Sequence, residues 1–221
     1  MTDLSVYKKR YDHPADLKQA LWSVGDNHQH ELWAQPAFMM SVGLRKYHKF
    51  LDLGCGCLRG TALLVDYLEQ GNFFGVDISQ SYIDQAQARL DMVGVVNKPS
   101  LFCISDYNIF NLTKTKFDFI LSVSILTHVM PDHIPALFSG VKECLAEKGQ
   151  YFFTIYPETI YNYHGDIEAM GYKKEYLMDI GKQCGLSISD ISGDYPNLCD
   201  NFLKRVNTPM MGQWVMRATL L

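Results

Sequence analysis

From residue 46 onward the chain alternates short apolar runs with segments of helical spacing. "KFLDL" (49–53) is apolar up to an acid in its penultimate position and reads as a buried strand. After a glycine-rich stretch, Leu58, Ala62, Val65 and Leu68 recur at helical spacing, and Gly71 stops that helix. "NFFGVDI" (72–78) is the second strand. Ser79 then stands where an N-cap belongs, ahead of a helix whose apolar face is Ile83, Ala86, Leu90 and Val93. "SLFCI" (100–104) and "FDFILSV" (117–123) are the third and fourth strands. Asp132 caps a helix that puts Ile134, Leu137, Phe138, Val141 and Leu145 on one face, with Pro135 in its first turn, where proline does little harm. "GQYFFTIY" (149–156) is the fifth strand, followed by a helix over 173–183 and by "LSISDI" (186–191) and "QWVMRATLL" (213–221).

Strands alternating with helices at these lengths predict an α/β fold: a doubly wound, mostly parallel, seven-stranded sheet with helices on both faces. The last two strands have no helix between them, which predicts an antiparallel C-terminal hairpin at one sheet edge. Residues 1–45 read as one or two N-terminal helices forming a lid segment, and residues 46–221 as the main domain. Residues 157–172, "PETIYNYHGDIEAMGY", form a tyrosine-rich loop outside the rhythm. No repeat, low-complexity tract or linker divides the chain.

Composition narrows the function. Hydrophobic residues make up 48% of the 221 and charged residues 20%, enough to bury a core. The formal net charge of −4 is the wrong sign for a protein that grips nucleic acid through its phosphates. The N-terminus has no apolar core of signal-peptide length, and no apolar run reaches the roughly 18 residues of a membrane span. The expectation is a cytoplasmic protein. Six scattered cysteines, with only Cys55 and Cys57 close together, lack metal-site spacing and read as reduced thiols, so no metal is expected.

The chemistry is concentrated in "FLDLGCGCLRG" (50–60). Open α/β sheets bind ligands at the carboxyl ends of their strands, and this loop follows the first strand. Its glycines, Gly54, Gly56 and Gly60, let the backbone come close to a ligand. No Gly-Lys-Ser/Thr follows, so a phosphate loop is excluded. A dinucleotide is disfavoured by the glycine spacing and by Asp52, which precedes the first glycine by two residues. Two like charges near 4 Å repel by about 4 kcal/mol at an effective dielectric of 20. A ligand with a sulfonium and an ammonium is attracted instead, and S-adenosylmethionine is such a cofactor. Asp77, at the end of strand two, is placed to take both ribose hydroxyls, though NAD-binding folds use an acid there too. Ile78 can pack on one face of the adenine. Asp106, after strand three, can accept from the adenine amino group, with Tyr107 beside it.

"FLDLGCGCLRG", "FFGVDIS", "CISDYNIF" and "FDFILSVSILTHV" resemble the successive motifs of class I S-adenosylmethionine-dependent methyltransferases, from about residue 35 to the end. Cys57 departs from the commonest GxGxG form. A subset with GCGxLRG, a glutamine on the preceding helix and a closing Gly-Gln strand is most similar, matched here by Gln35 and "GQWVM" (212–216). The resemblance implies a Rossmann-like fold, S-adenosyl-L-methionine as cofactor, S-adenosyl-L-homocysteine as product, and cofactor contacts from Gln35, Asp52, Gly54, Cys55, Gly56, Asp77, Ile78, Asp106, Tyr107 and Ser122.

Methyl transfer needs alignment above all, worth roughly 7–11 kcal/mol, and a base only where the nucleophile must lose a proton. His128, in "SILTHVMPDH", is the first base candidate, with a loop-bonding role as its alternative. His164, in "YNYHGD", is the second. Arg59 can meet the cofactor carboxylate or sit at the surface. Trp22, Trp33, Tyr156, Tyr161, Tyr163 and Tyr172 make either an apolar lid or the packing of the N-terminal helices on the sheet. The Asn-Pro-Pro-aromatic signature of amino-methylating nucleic-acid enzymes is replaced by "SVSI" after strand four. The expected partner is a small-molecule methyl acceptor at O or N. Membrane and nucleic acid are not expected, and a homodimer is compatible. A non-catalytic cofactor-binding regulator is the alternative, with an NAD-dependent oxidoreductase behind it.

Overall fold

A computed structural model describes residues 3–5, 7–8, 16–18, 20, 28–156, 170–194 and 213–221. The elements run α1 (His28–Ser41), β1 (Phe50–Leu53), α2 (Ala62–Tyr67), β2 (Phe73–Asp77), α3 (Gln80–Asp84), α4 (Ala86–Val93), β3 (Ser100–Cys103), α5 (Ile109–Thr113), β4 (Phe117–Ser122), a 3-10 turn (Pro131–His133), α6 (Ile134–Cys144), β5 (Leu145–Ile155), α7 (Lys174–Gln183), β6 (Leu186–Asp190) and β7 (Trp214–Leu220).

The strands form one seven-stranded sheet in the order β3-β2-β1-β4-β5-β7-β6. β1 pairs parallel with β2, β2 with β3, and β4 with β5. β7 runs antiparallel to both β5 and β6, and β6 forms the edge. The expected C-terminal hairpin is therefore present, with its second strand inserted inside its first. All four residues of β1 are buried, as in strands covered on both faces.

By compactness the chain divides into two units, Asp3–Asp106 and Tyr107–Leu221. In the first, Phe38, Met39, Leu44, Phe50, Leu51, Leu64, Val76, Ala86 and Leu90 are buried. In the second, Phe117, Ile120, Leu121, Ile134, Leu137, Phe138, Val141, Phe152, Phe153 and Ile155 are buried. The α6 face expected from spacing is that core, although Leu145 is already the first residue of β5.

Several local expectations are corrected. The helix after the glycine loop begins at Ala62, because Leu58 takes a left-handed φ of 60° and cannot be helical there. The helix expected after Ser79 is two helices. Ser79 does cap α3, its hydroxyl accepting from Tyr82 N at 3.2 Å. At Gln85 the N–H turns to Tyr82 O, three residues back, which tightens the turn and ends α3 before α4 starts. Asp132 does not cap α6. It lies exposed inside the 3-10 turn, and His133 occupies the cap position without a side-chain capping bond to the helix. The one-turn α5 between β3 and β4 is too short to leave a periodic signal.

Candidate functional site

The loop after β1 is shaped by backbone conformations that side chains resist. Gly54 and Gly56 have φ of 82° and 52°. The N–H groups of Gly54 and Cys55 both donate to Val76 O, at 2.8 and 3.0 Å, which ties the loop to the end of β2. Beside Gly56 the space is open: a Cβ there would meet nothing nearer than Tyr82 Cδ1 at 4.0 Å. Gly60 is glycine for the opposite reason. A Cβ on it would lie 2.1 Å from Gln35 Cδ, so the buried Gln35 side chain from α1 rests directly on that backbone.

Asp52 sits in β1 with 6% of its surface exposed. Thr61 Oγ1 donates to its Oδ2 at 2.5 Å. Thr61 precedes α2, yet makes no capping bond; its hydroxyl goes to the acid instead. Burial pushes the Asp52 carboxyl up to about 7, against the lowering pull of the Thr61 hydroxyl and with the added push of the Asp77 charge. Without a cation nearby, this acid is half protonated at neutral pH. A positively charged ligand would draw it back into the carboxylate form.

Asp77 closes β2 and binds two loops at once. Its Oδ2 accepts from Gly56 N at 2.8 Å and its Oδ1 from Ser79 N at 2.9 Å. The glycine turn and the start of α3 thus share one carboxylate. Ile78 is half-buried, and its carbonyl accepts from Cys103 Sγ at 3.4 Å. Cys55 is buried, with its Sγ 2.9 Å from where a Cβ on Gly75 would lie, so it packs inward on β2. Asp106 is half-buried in the loop beyond β3.

Two features of this unit were not expected from the residues alone. Thr61 is the first. The second is Arg89 of α4, 1% exposed, whose Nη2 donates to Arg59 O at 3.3 Å and Nη1 to Met92 Sδ at 3.6 Å, while Nε has no partner among the described residues. Burial lowers its pKa. It holds the exit of the glycine loop from beneath. Described N-terminal residues also reach this loop. Ala20 packs with Cys57 and Tyr82, with Leu17 against them, and Leu4 N donates to Ser105 O at 3.2 Å. Cys57, the departure from the commonest loop motif, is therefore a packing residue, and burial raises its thiol to about 11.

In the second unit, Tyr107 is buried and its carbonyl accepts from Ile109 N at 2.9 Å. Ser122 ends β4 fully buried, its hydroxyl 2.7 Å from Tyr151 Oη. His128 is half-buried in the turn after β4, where its backbone N–H donates to Ile125 O at 2.9 Å. Tyr172 Oη donates to Val129 O. Tyr156 and Tyr172 are buried, whereas Trp33 is 69% exposed. His164, Trp22, Tyr161 and Tyr163 lie outside the described residues. Among the described residues no three histidines, cysteines or acids are grouped to hold a metal, and no helix is long and apolar enough to cross a membrane.

Residues 50–149 match the family model of a methyltransferase domain. No curated protein matches the sequence. Among solved structures, magnesium protoporphyrin IX methyltransferase of Synechocystis PCC 6803 with bound S-adenosylmethionine has a TM-score of 0.64 at 15% identity, over 98% of this chain and 90% of that one. A S-adenosylmethionine-dependent methyltransferase from Clostridium acetobutylicum has a TM-score of 0.62 at 19% identity, over 87% and 92%. The DhpI complex with S-adenosylhomocysteine has a TM-score of 0.61 at 16% identity, over 99% and 95%. The chain shares the Rossmann-like fold of these solved structures, and its residues 50–149 match the model of a methyltransferase domain.

Proposed function

We propose that the protein is an enzyme that transfers a methyl group from S-adenosylmethionine to an oxygen or nitrogen of a small molecule. The observation that carries this reading is the coupling of two acids to one glycine turn: Asp52 buried and held by Thr61, Asp77 holding the Gly56 N–H. The residues fit the cofactor. Gly56 leaves open space where a Cβ would stand, and the two acids suit a ligand carrying positive charge. Asp77 would hold the ribose, the Gly54–Gly56 backbone would lie along the cofactor, Asp52 would answer its cationic end, and Ile78 and Asp106 would meet the adenine. When bound, the cofactor supplies a methyl group already activated by sulfonium. The chain's own contribution is alignment and exclusion of water.

The finer assignments rest on the sequence: membership of the GCGxLRG subset, cofactor contacts from Gln35, Cys55, Tyr107 and Ser122, and His128 or His164 as base. The described N-terminal contacts, Leu4 on Ser105 and Leu17 and Ala20 on Cys57 and Tyr82, support residues 1–45 as a lid segment. Thermal-shift measurements with S-adenosylmethionine, S-adenosylhomocysteine and NAD test the cofactor. Stabilisation by the first two is expected, and stabilisation by NAD alone would overturn the reading. Turnover of labelled methyl against hydroxyl- and amine-bearing metabolites tests catalysis; a cofactor-binding protein with no acceptor across a broad panel would be a regulator.

A further inference from the structure

Thr61 stands immediately before α2, where a threonine hydroxyl ordinarily accepts a backbone N–H and caps the helix. Here it makes no such bond. Its Oγ1 donates instead to Asp52 Oδ2 at 2.5 Å, nine positions back in β1. Both residues are buried, Thr61 with 1% of its surface exposed and Asp52 with 6%. The other carboxyl oxygen, Oδ1, accepts from no donor among the described residues, yet it is not closed to water. One oxygen is held and the other is left open ahead of the glycine turn.

A helix start has given up a stabilising bond to make this contact. The surroundings of Asp52 show what is gained. Burial disfavours its charged form, and so does Asp77, the acid that closes β2. Cys55, the other titratable group that bears on it, is a buried thiol held well above its usual range and therefore neutral. Against burial and Asp77 stands the Thr61 hydroxyl, a donor to the charged form. A hydroxyl bonds a carboxylate more strongly than it bonds the neutral acid. In a site poor in water, the field of that carboxylate reaches a cation across the turn without direct contact.

We propose that Thr61 is a positioning residue for the cationic end of the cofactor: its hydroxyl fixes Asp52 and biases it toward the carboxylate, so that the glycine turn selects ligands carrying positive charge. This rests on the methyltransferase reading above. Valine at position 61 keeps the shape of threonine and removes the donor. Asp52 then holds its proton to higher pH, and a cationic ligand must expel that proton to water before it binds.

Calorimetry on the full-length protein compares S-adenosylmethionine with 5′-methylthioadenosine, which shares the nucleoside and carries no charge. Thr61→Val should bind S-adenosylmethionine ~10-fold more weakly than the wild type at about pH 6.5, and the gap should close to within ~2-fold at about pH 9. Comparing the two proteins at each pH cancels the titration of the ligand itself. 5′-Methylthioadenosine should bind both proteins within ~2-fold throughout, and Thr61→Ser, which keeps the hydroxyl, should follow the wild type. A gap that does not change with pH, an equal loss for 5′-methylthioadenosine, or Thr61→Ser as weak as Thr61→Val would each overturn the proposal. Thr61→Ala takes the place of the valine variant if circular dichroism shows the latter unfolded. The cofactor reading is judged separately, by a carbon-13 titration of the Asp52 carboxyl without ligand, assigned by its loss in Asp52→Asn. Its midpoint should lie at about 7 in the wild type and ~1 unit higher in Thr61→Val. An equal midpoint would overturn the role of Thr61 even where S-adenosylmethionine binds. A raised midpoint with no binding of S-adenosylmethionine would support the bias on Asp52 and count against the methyltransferase alone.

Discussion

The two ends of strand at which this protein carries polar groups are built differently. Beyond β1 and β2 the side chains are acids, Asp52 and Asp77, set in a backbone of glycines. Beyond β4 and β5 they are hydroxyls and one amide: Ser122 on Tyr151, and Ser124 between Thr154 and Gln213. The first end pulls charge toward itself, since a buried carboxyl held near neutrality becomes a carboxylate when a cation arrives. The second has no carboxylate in these hydrogen bonds. Burial raises the Tyr151 phenol far above its usual range, and the other groups do not titrate.

The contrast breaks first at Asp52. With its carboxyl raised to about 7 from an ordinary 3.8, the folded ligand-free protein binds that proton more tightly than the unfolded chain. Acid therefore favours the fold, and stability should fall by up to about 4 kcal/mol as pH rises from about 4 to about 8. Urea denaturation across that range should show the slope in the wild type and lose it in Asp52→Asn. A cation reverses the sign of the preference, so S-adenosylmethionine should bind more tightly as pH rises through 7. A flat profile for both proteins would remove the charged character of this end.

Next in size is Asp77→Ala, which removes the acceptor of two backbone N–H groups as well as the proposed ribose contact. Calorimetry should record S-adenosylmethionine binding weakened about 100-fold with the far-ultraviolet circular dichroism unchanged. An unchanged dissociation constant would show the ribose contact misplaced. Tyr151→Phe probes the other end: it strands the buried Ser122 hydroxyl, and chemical denaturation should report a loss of about 1–2 kcal/mol, equal at every pH between 5 and 8. A pH-dependent loss would break the comparison from the neutral side. Smallest is Lys174→Met. Lys174 pairs with Asp190 and lies 4.0 Å from the Trp214 ring centroid, with both partners about a quarter exposed. It should cost about 1 kcal/mol or less and leave cofactor binding untouched.

The alternation of strands and helices was legible because hydrophobic spacing has a different period in each, and the core face of α6 followed from it residue by residue. Ser79 was legible as a cap because capping is local. Where a conformation depended on what lay across the fold, spacing misled. Leu58 kept the helical interval but turned left-handed to close the glycine loop, and Gln85 split a helix whose apolar period runs on through it. In the site, Asp52 and Asp77 announced themselves as acids at strand ends. Their partners did not: Thr61 reads as an ordinary helix start, and Arg89 as a surface residue of α4.

The sequence by itself determined the class of the fold, the place of the glycine turn and the sign of the charge beside it. These follow from side-chain type and interval, which are properties of neighbours along the chain. Tertiary structure alone decided that β7 would enter between β5 and β6, that burial would lift Asp52 to about 7, and that Gln213 would meet Ser124 across 89 positions of chain. Strand order, desolvation and long-range hydrogen bonds depend on which surfaces exclude water together. That is settled only when the whole sheet has assembled.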